Sequence, residues 1–193
     1  MTTSGRIELM APAGNFESMQ AALDNGCDSI YFGVEQLNMR ARATVNFVLD
    51  DLPEIARRCN EKNVRTYLTL NTIIYDHDLS IVKTLLTKAK EAGITAVIAS
   101  DQAVIMTART IGMEVHISTQ LNVTNIETVK FYAMFADTIV LSRELSLRQV
   151  KKITEDIEKE QVKGPSGNLV EIEIFGHGAL CMAVSGKCYL SLH

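Results

Sequence analysis

No apolar run in the sequence approaches the roughly 20 residues that a membrane-spanning helix needs, so a membrane protein is not expected. Residues 1–20 also lack the basic start and apolar core of a secretory leader. Cysteine is scarce, with four in 193 residues, and without a leader those four fit a reducing compartment better than a disulfide scaffold. A cytoplasmic protein follows from the two observations. Positive charge is in deficit, 19 Lys and Arg against 23 Asp and Glu, which excludes a uniformly basic sheath for nucleic acid and leaves room for a local basic patch. What is present is ordinary for a globular chain: 47% hydrophobic and 22% charged residues, enough to bury a core and unlike disorder, collagen or coiled coil. The length fits one domain over residues 1–193 better than two.

Short β-branched runs alternate with amphipathic segments. The runs predict seven strands, at 6–11, 28–33, 64–71, 95–99, 114–119, 137–142 and 170–175. The segments between them carry helix signals. Asn15 reads as an N-cap with Gly26 beyond the far end, and Asp51, Leu52, Pro53 and Glu54 open a second helix. Capping boxes are expected at Thr124 with Glu127 and at Ser146 with Gln149. Strict βα alternation implies a parallel sheet with right-handed crossovers, either an eight-stranded barrel or a doubly wound open sheet. The stretch 159–168, with Gly164, Pro165 and Gly167, reads as a loose surface loop before the last strand.

Strand parity chooses between the two architectures. Ile7, Leu9, Leu68, Leu70, Val115, Ile117, Ile139, Leu141, Ile172 and Ile174 form one apolar parity. The other carries Glu8, Tyr31, Tyr67, Thr69, Asn71, His116, Ser118, Glu171 and Glu173. A doubly wound sheet packs helices on both faces and needs both parities apolar, whereas a barrel tolerates a polar lumen. The expected fold is an α/β, TIM-like (β/α) barrel, incomplete, with seven of about eight strands, read as the N-terminal part of a longer parent. The unpaired edges it leaves suggest a partner or oligomer contact.

In such folds chemistry gathers after the strands. Asn71 follows the third, Ser118 and Gln120 the fifth, Arg143 and Glu144 the sixth, His177 the seventh, and Arg40 and Arg42 the second. The densest signal is the segment 173–191, where Cys181 and Cys188 flank a Ser185 and Gly186 turn at a spacing that allows both thiolates to converge on one metal or cluster. Taken alone, the spacing is equally compatible with two buried thiols or a disulfide. Cys27 and Cys59 lie in helical segments and read as core.

With these motifs the chain resembles the collagenase-like peptidase family U32. The residues that carry the resemblance are Leu9 to Gly14, Ile139 to Ser146, and His177 through the Gly, Ala, Leu, Cys181, Met, Ala run to Cys188 and Leu190-Ser191. The stretch Ser142 to Ser146 and the residues after Cys181 look most like the branch that makes 5-hydroxyuridine at the tRNA wobble position. The resemblance implies an iron–sulfur cluster (4Fe–4S) held by four cysteines, with Cys181 and Cys188 as the first pair and the second pair downstream of this chain. It further implies oxygen-independent hydroxylation, tRNA as partner and a small carboxylate co-substrate of the prephenate type. The peptidase activity for which older members were named is the alternative, and a non-catalytic barrel is a third reading; the residues show no His-Glu-x-x-His and no Gly-x-Ser-x-Gly.

Role by role, His177, Glu173, Arg40 and Arg143 are candidates for catalysis, and Asn71, His116, Ser118, Gln120 and Arg42 for substrate binding. Guanidinium groups suit carboxylate and phosphate bidentately. Buried Glu8 and Glu173 would need cations, for which Arg40 and Arg143 are the expected partners.

Overall fold

The computed structural model describes residues 7–34, 47–178 and 183–187. Seven strands are present: β1 (Met10–Pro12), β2 (Ser29–Phe32), β3 (Arg65–Leu70), β4 (Ala96–Ala99), β5 (Glu114–Ile117), β6 (Thr138–Val140) and β7 (Glu171–Glu173). Among the described residues six α-helices alternate with them: α1 (Phe16–Asp24), α2 (Leu52–Glu61), α3 (Leu79–Ala92), α4 (Gln102–Thr110), α5 (Ile126–Ala133) and α6 (Leu147–Glu160). All strand pairs are parallel, and the sheet runs in sequence order from β1 to β7 without a reversal. A doubly wound sheet would reverse at a switch point. The sequence order describes a curled half-barrel, the incomplete TIM-like fold that strand parity predicted.

Register shows how the parity works. Phe32, Leu68, Val97 and Val115 lie side by side, as do Ile117, Ile139 and Ile172. These side chains form the outer face and pack against the inner stripes of the helices, among them Met19, Leu52, Ile55, Leu86, Val104, Val129 and Ile153, in one continuous core. Burying a side chain of this size contributes about 1.5–3 kcal/mol each. The opposite parity forms the lumen, where Thr69, Ile98, His116, Thr138 and Glu171 stand in one register row. A small second cluster of Tyr67, Ala96 and Ile98, with Met10 and Tyr31 against it, fills part of this interior.

Two expectations change at the edges. Ile7 and Leu9, assigned to the buried parity, are 90% and 61% exposed, because β1 begins at Met10 and no described helix covers that edge. Ile174 is likewise exposed beyond β7. The apolar parity is therefore buried on β2–β6 and open at both ends of the sheet.

Local signals hold in most places. Asn15 accepts from the Ser18 N–H at 2.8 Å while Ser18 Oγ accepts from the Asn15 N–H at 3.1 Å, a reciprocal cap. Ser146 and Gln149 form the expected box at α6. The box at Thr124 and Glu127 is one residue out: Asn125 is the cap, and its Oδ1 accepts from Thr128 N–H at 3.0 Å. The stretch 159–168 is not loose. Lys163 bridges Leu169, and Asp137 Oδ1 accepts from both the N–H and the hydroxyl of Ser166, at 3.0 and 2.7 Å. No helix among the described residues is long and apolar enough to cross a membrane.

Candidate active site at the rim of the half-barrel

Beneath the rim, the lumen holds a chain of ionisable groups. His116, 3% exposed, stands mid-strand on β5 with its ring 4.5 Å from that of Tyr67 on β3. Its Nε2 lies 3.2 Å from Glu114 Oε1 and its Nδ1 lies 3.8 Å from Glu173 Oε2 at the end of β7. Nδ1 and Glu173 Oε2 are both buried without a hydrogen-bond partner and face each other across that gap. Burial pulls the His116 pKa down, but the two carboxylates outweigh it and leave it raised above the usual 6.5. Glu114 is held below the usual carboxylate value, chiefly by its hydrogen bond to His116. Tyr67 donates to Glu8 Oε1 at 2.8 Å, and burial pushes its phenol up to about 12. Arg65, at the start of β3, forms an ion pair with Glu8.

Of the expected counter-ions, Arg143 does not meet these carboxylates, and Arg40 lies outside the described residues. Glu8 is paired by Arg65 and Tyr67 and Glu173 faces His116, while Arg143 is exposed at the rim with its guanidinium 5.9 Å from the Phe175 ring centre. The reason is level: Arg143 follows β6, one layer above the carboxylates, whereas Arg65 and Glu114 open their strands at lumen parity. Period-two spacing from Tyr67 and from His116 points to Arg65 and Glu114, both missing from the sequence-derived set. The lumen is rich in carboxylate, which favours a cationic or neutral guest there over an anion.

Above that layer the rim is built from amides and hydroxyls. Gln120 is its hub. Its Oε1 accepts from Asn71 Nδ2 at 3.2 Å and from the Ser118 hydroxyl, tying the end of β3 to the end of β5. Ser118 is 2% exposed, and Asn71 and Gln120 are half-buried. Beside them Ser142 Oγ donates to Asn122 Oδ1 at 2.7 Å, joining the loops after β5 and β6.

Onto this rim docks the described part of the C-terminal segment. Ser185 is 1% exposed. Its N–H donates to Glu144 Oε1, and its hydroxyl oxygen accepts from the Arg143 N–H at 3.3 Å and from Thr119 Oγ1 at 3.5 Å. Gly186 has φ +74°, and a Cβ there would overlap the Gln120 carbonyl, so only glycine fits this contact. Desolvation pushes the Glu144 carboxyl up, but the Ser185 N–H, its own N–H, the Ser185 hydroxyl and the Arg143 charge outweigh it and leave the pKa lowered.

The structure thus brings Asn71, Ser118, Gln120 and Arg143 to one rim, sets His116 and Glu173 face to face below it, and leaves His177 exposed after β7. Arg40, Arg42, Cys181 and Cys188 lie outside the described residues. Cys27 and Cys59 are buried under the helices, as expected; burial raises both thiols, Cys59 to about 11, so neither is a ready thiolate that could complete a ligand set at the rim. Among the described residues no three His, Cys, Asp or Glu side chains are grouped to hold a metal ion. The donors that suit a thiophilic centre are Cys181 and Cys188, which flank the docked turn in sequence.

The profile of peptidase family U32 matches residues 14–193. The chain belongs to that family. A collagenase of Porphyromonas gingivalis (strain ATCC BAA-308 / W83) is 55% identical over 187 residues, covering 97% of this chain and 45% of the relative. The tRNA hydroxylation protein P1 of Bacillus subtilis (strain 168) is 31% identical over 189 residues, 96% of this chain and 42% of the relative. The 23S rRNA 5-hydroxycytidine C2501 synthase of Escherichia coli (strain K12) is 33% identical over 190 residues, 98% of this chain and 27% of the relative. The chain spans less than half the length of each. A solved U32 peptidase superposes with a TM-score of 0.64 at 15% identity, over 90% of this chain and 70% of its own, and supports the fold.

Proposed function

We propose that this chain is the barrel part of an enzyme that hydroxylates a pyrimidine base of structured RNA, with a tRNA wobble uridine as the target. The observation that carries the reading is the docked turn: Ser185 and Gly186, which lie between Cys181 and Cys188 in sequence, are anchored on the rim where the amide hub of Asn71 and Gln120 sits, the end of a βα barrel at which substrates bind. Relatives named for hydroxylation of two different RNAs support the class of reaction.

Converting a base C–H to C–OH is a net two-electron oxidation and needs an oxygen donor and an electron acceptor. An iron–sulfur cluster, to which Cys181 and Cys188 would contribute two thiolates and the longer parent the others, would supply the electron-transfer capacity. The chain's own side chains divide the remaining tasks. The carboxamides of Asn71 and Gln120, with Ser118 behind them, offer donors and acceptors to a base edge. Arg143 at the rim, with Arg40 and Arg42 as the other candidate cations of the sequence, would serve RNA phosphates and a small carboxylate co-substrate. Glu173 and His116 can take up or release the proton at the base, and His177 stands exposed after β7.

A peptidase is the second reading, favoured by the name of the 55% identical relative. Against it, the buried His116 faces carboxylates and a tyrosine ring, and among the described residues no hydroxyl or thiol nucleophile is placed on its nitrogens. Mass spectrometry of tRNA and rRNA nucleosides from a deletion strain decides between the readings: loss of a hydroxylated pyrimidine supports RNA modification, and unchanged nucleosides together with gelatin cleavage by the purified full-length protein favour the peptidase.

A further inference from the structure

We propose that Glu144 is a positioning residue for the cysteine-bearing C-terminal segment: its carboxylate takes the Ser185 N–H and, with Gly186 seated on the Gln120 carbonyl, latches the turn to the rim. Its functional meaning rests on the hydroxylase reading above. Glu144 belongs to the loop after β6, and the helix that follows does not use it, since α6 is capped by Ser146 with Gln149. Its carboxylate instead reaches a residue 41 positions away in the sequence. Ser185 is 1% exposed between neighbours that face solvent, Val184 at 52% and Lys187 also exposed. A buried polar residue in an exposed strap is held there by its hydrogen bonds, and Ser185 has three polar partners on the rim.

Three independent contacts fix the same turn, two from the loop after β6 and one from the loop after β5, and Gly186 excludes any side chain from the seat. Cys181 precedes Ser185 by four residues and Cys188 follows Gly186 by two, so a latched turn fixes the points from which both cysteine-bearing stretches depart. The cost of ordering that backbone is met before any ligand arrives.

Amide hydrogen exchange and iodoacetamide labelling of the reduced chain test the latch, with Cys27 and Cys59 as internal controls for global unfolding. Glu144→Ala should speed exchange of the Ser185 amide by on the order of tenfold to a hundredfold, the scale set by losing a charge-assisted hydrogen bond. Cys27 and Cys59 should stay protected from labelling. Glu144→Gln, whose side-chain oxygen accepts the same N–H, should restore most of the protection. Unchanged Ser185 exchange in Glu144→Ala would overturn the proposal. Should Glu144→Ala expose Cys27 and Cys59 as well, Glu144→Asp, one methylene too short to reach Ser185, repeats the comparison with the charge kept, and wild-type protection in that variant overturns the latch. Unchanged RNA nucleosides in a deletion strain would defeat the hydroxylase reading and leave the latch standing; the two failures are separable.

Discussion

The gap between His116 and Glu173 makes a quantitative prediction. Their 3.8 Å separation corresponds to an attraction of about 4 kcal/mol at an effective dielectric of about 20. Desolvation of the imidazolium and the partial exposure of Glu173, 23% for its side chain, reduce the net coupling to about 1–2 kcal/mol. A double-mutant cycle with His116→Gln and Glu173→Gln, read by urea unfolding, should give that coupling at about pH 6. The folded-state pKa of His116 is raised, so its contribution is complete below the usual histidine value of 6.5 and is lost as pH rises through the folded value. Coupling should therefore fall as pH rises through that folded-state value. Glu114 holds the other ring nitrogen and Tyr67 packs on the ring; both stay in place in all four proteins, so neither imitates the effect. A coupling near zero at pH 6, or one that does not change with pH, would refute the charged His116 to Glu173 pair.

Other outcomes follow from the same contacts. Gly164→Ala should destabilise the chain by about 1–3 kcal/mol, because its Cβ would stand 2.9 Å from Asp137 Cα; an unchanged Tm would show that the 159–168 stretch yields. Cys59, with its thiol pushed to about 11, should resist alkylation at neutral pH at a rate set by unfolding, and labelling independent of urea would contradict its burial. Gln120→Ala should leave far-ultraviolet circular dichroism intact while lowering RNA modification in cells, since it removes the acceptor shared by Asn71 and Ser118. Tyr67→Phe keeps the ring against His116 but removes the donor to Glu8, and should cost about 1.5–3 kcal/mol in urea unfolding.

The strand count and the choice of a barrel were legible because one-sided burial writes itself into parity: Leu68 and Leu70 on one side, Tyr67 and Thr69 on the other. Parity also placed His116 and Glu173 in the lumen. It did not show which charges meet there. That depends on stagger between strands, which brings Arg65 rather than Arg143 to Glu8, and stagger leaves no mark on a single strand. Ile7 and Leu9 misled for a related reason, since an apolar alternation announces a face and not whether anything covers it. The pairing of Glu144 with Ser185 was not legible because their bond joins loops far apart in sequence, whereas Gly186 carried a readable hint as a small residue in a Ser-Gly turn between two cysteines.

The central claim is that this chain serves hydroxylation of an RNA base through the cysteine-flanked turn. Nucleoside mass spectrometry of RNA from a deletion strain, complemented with the wild-type gene or with Cys181→Ala and Cys188→Ala together, tests it most directly. The account predicts a hydroxylated pyrimidine that disappears on deletion, returns with the wild type and stays absent with the double variant. Full modification in the deletion strain, or its return with the double variant, would contradict it.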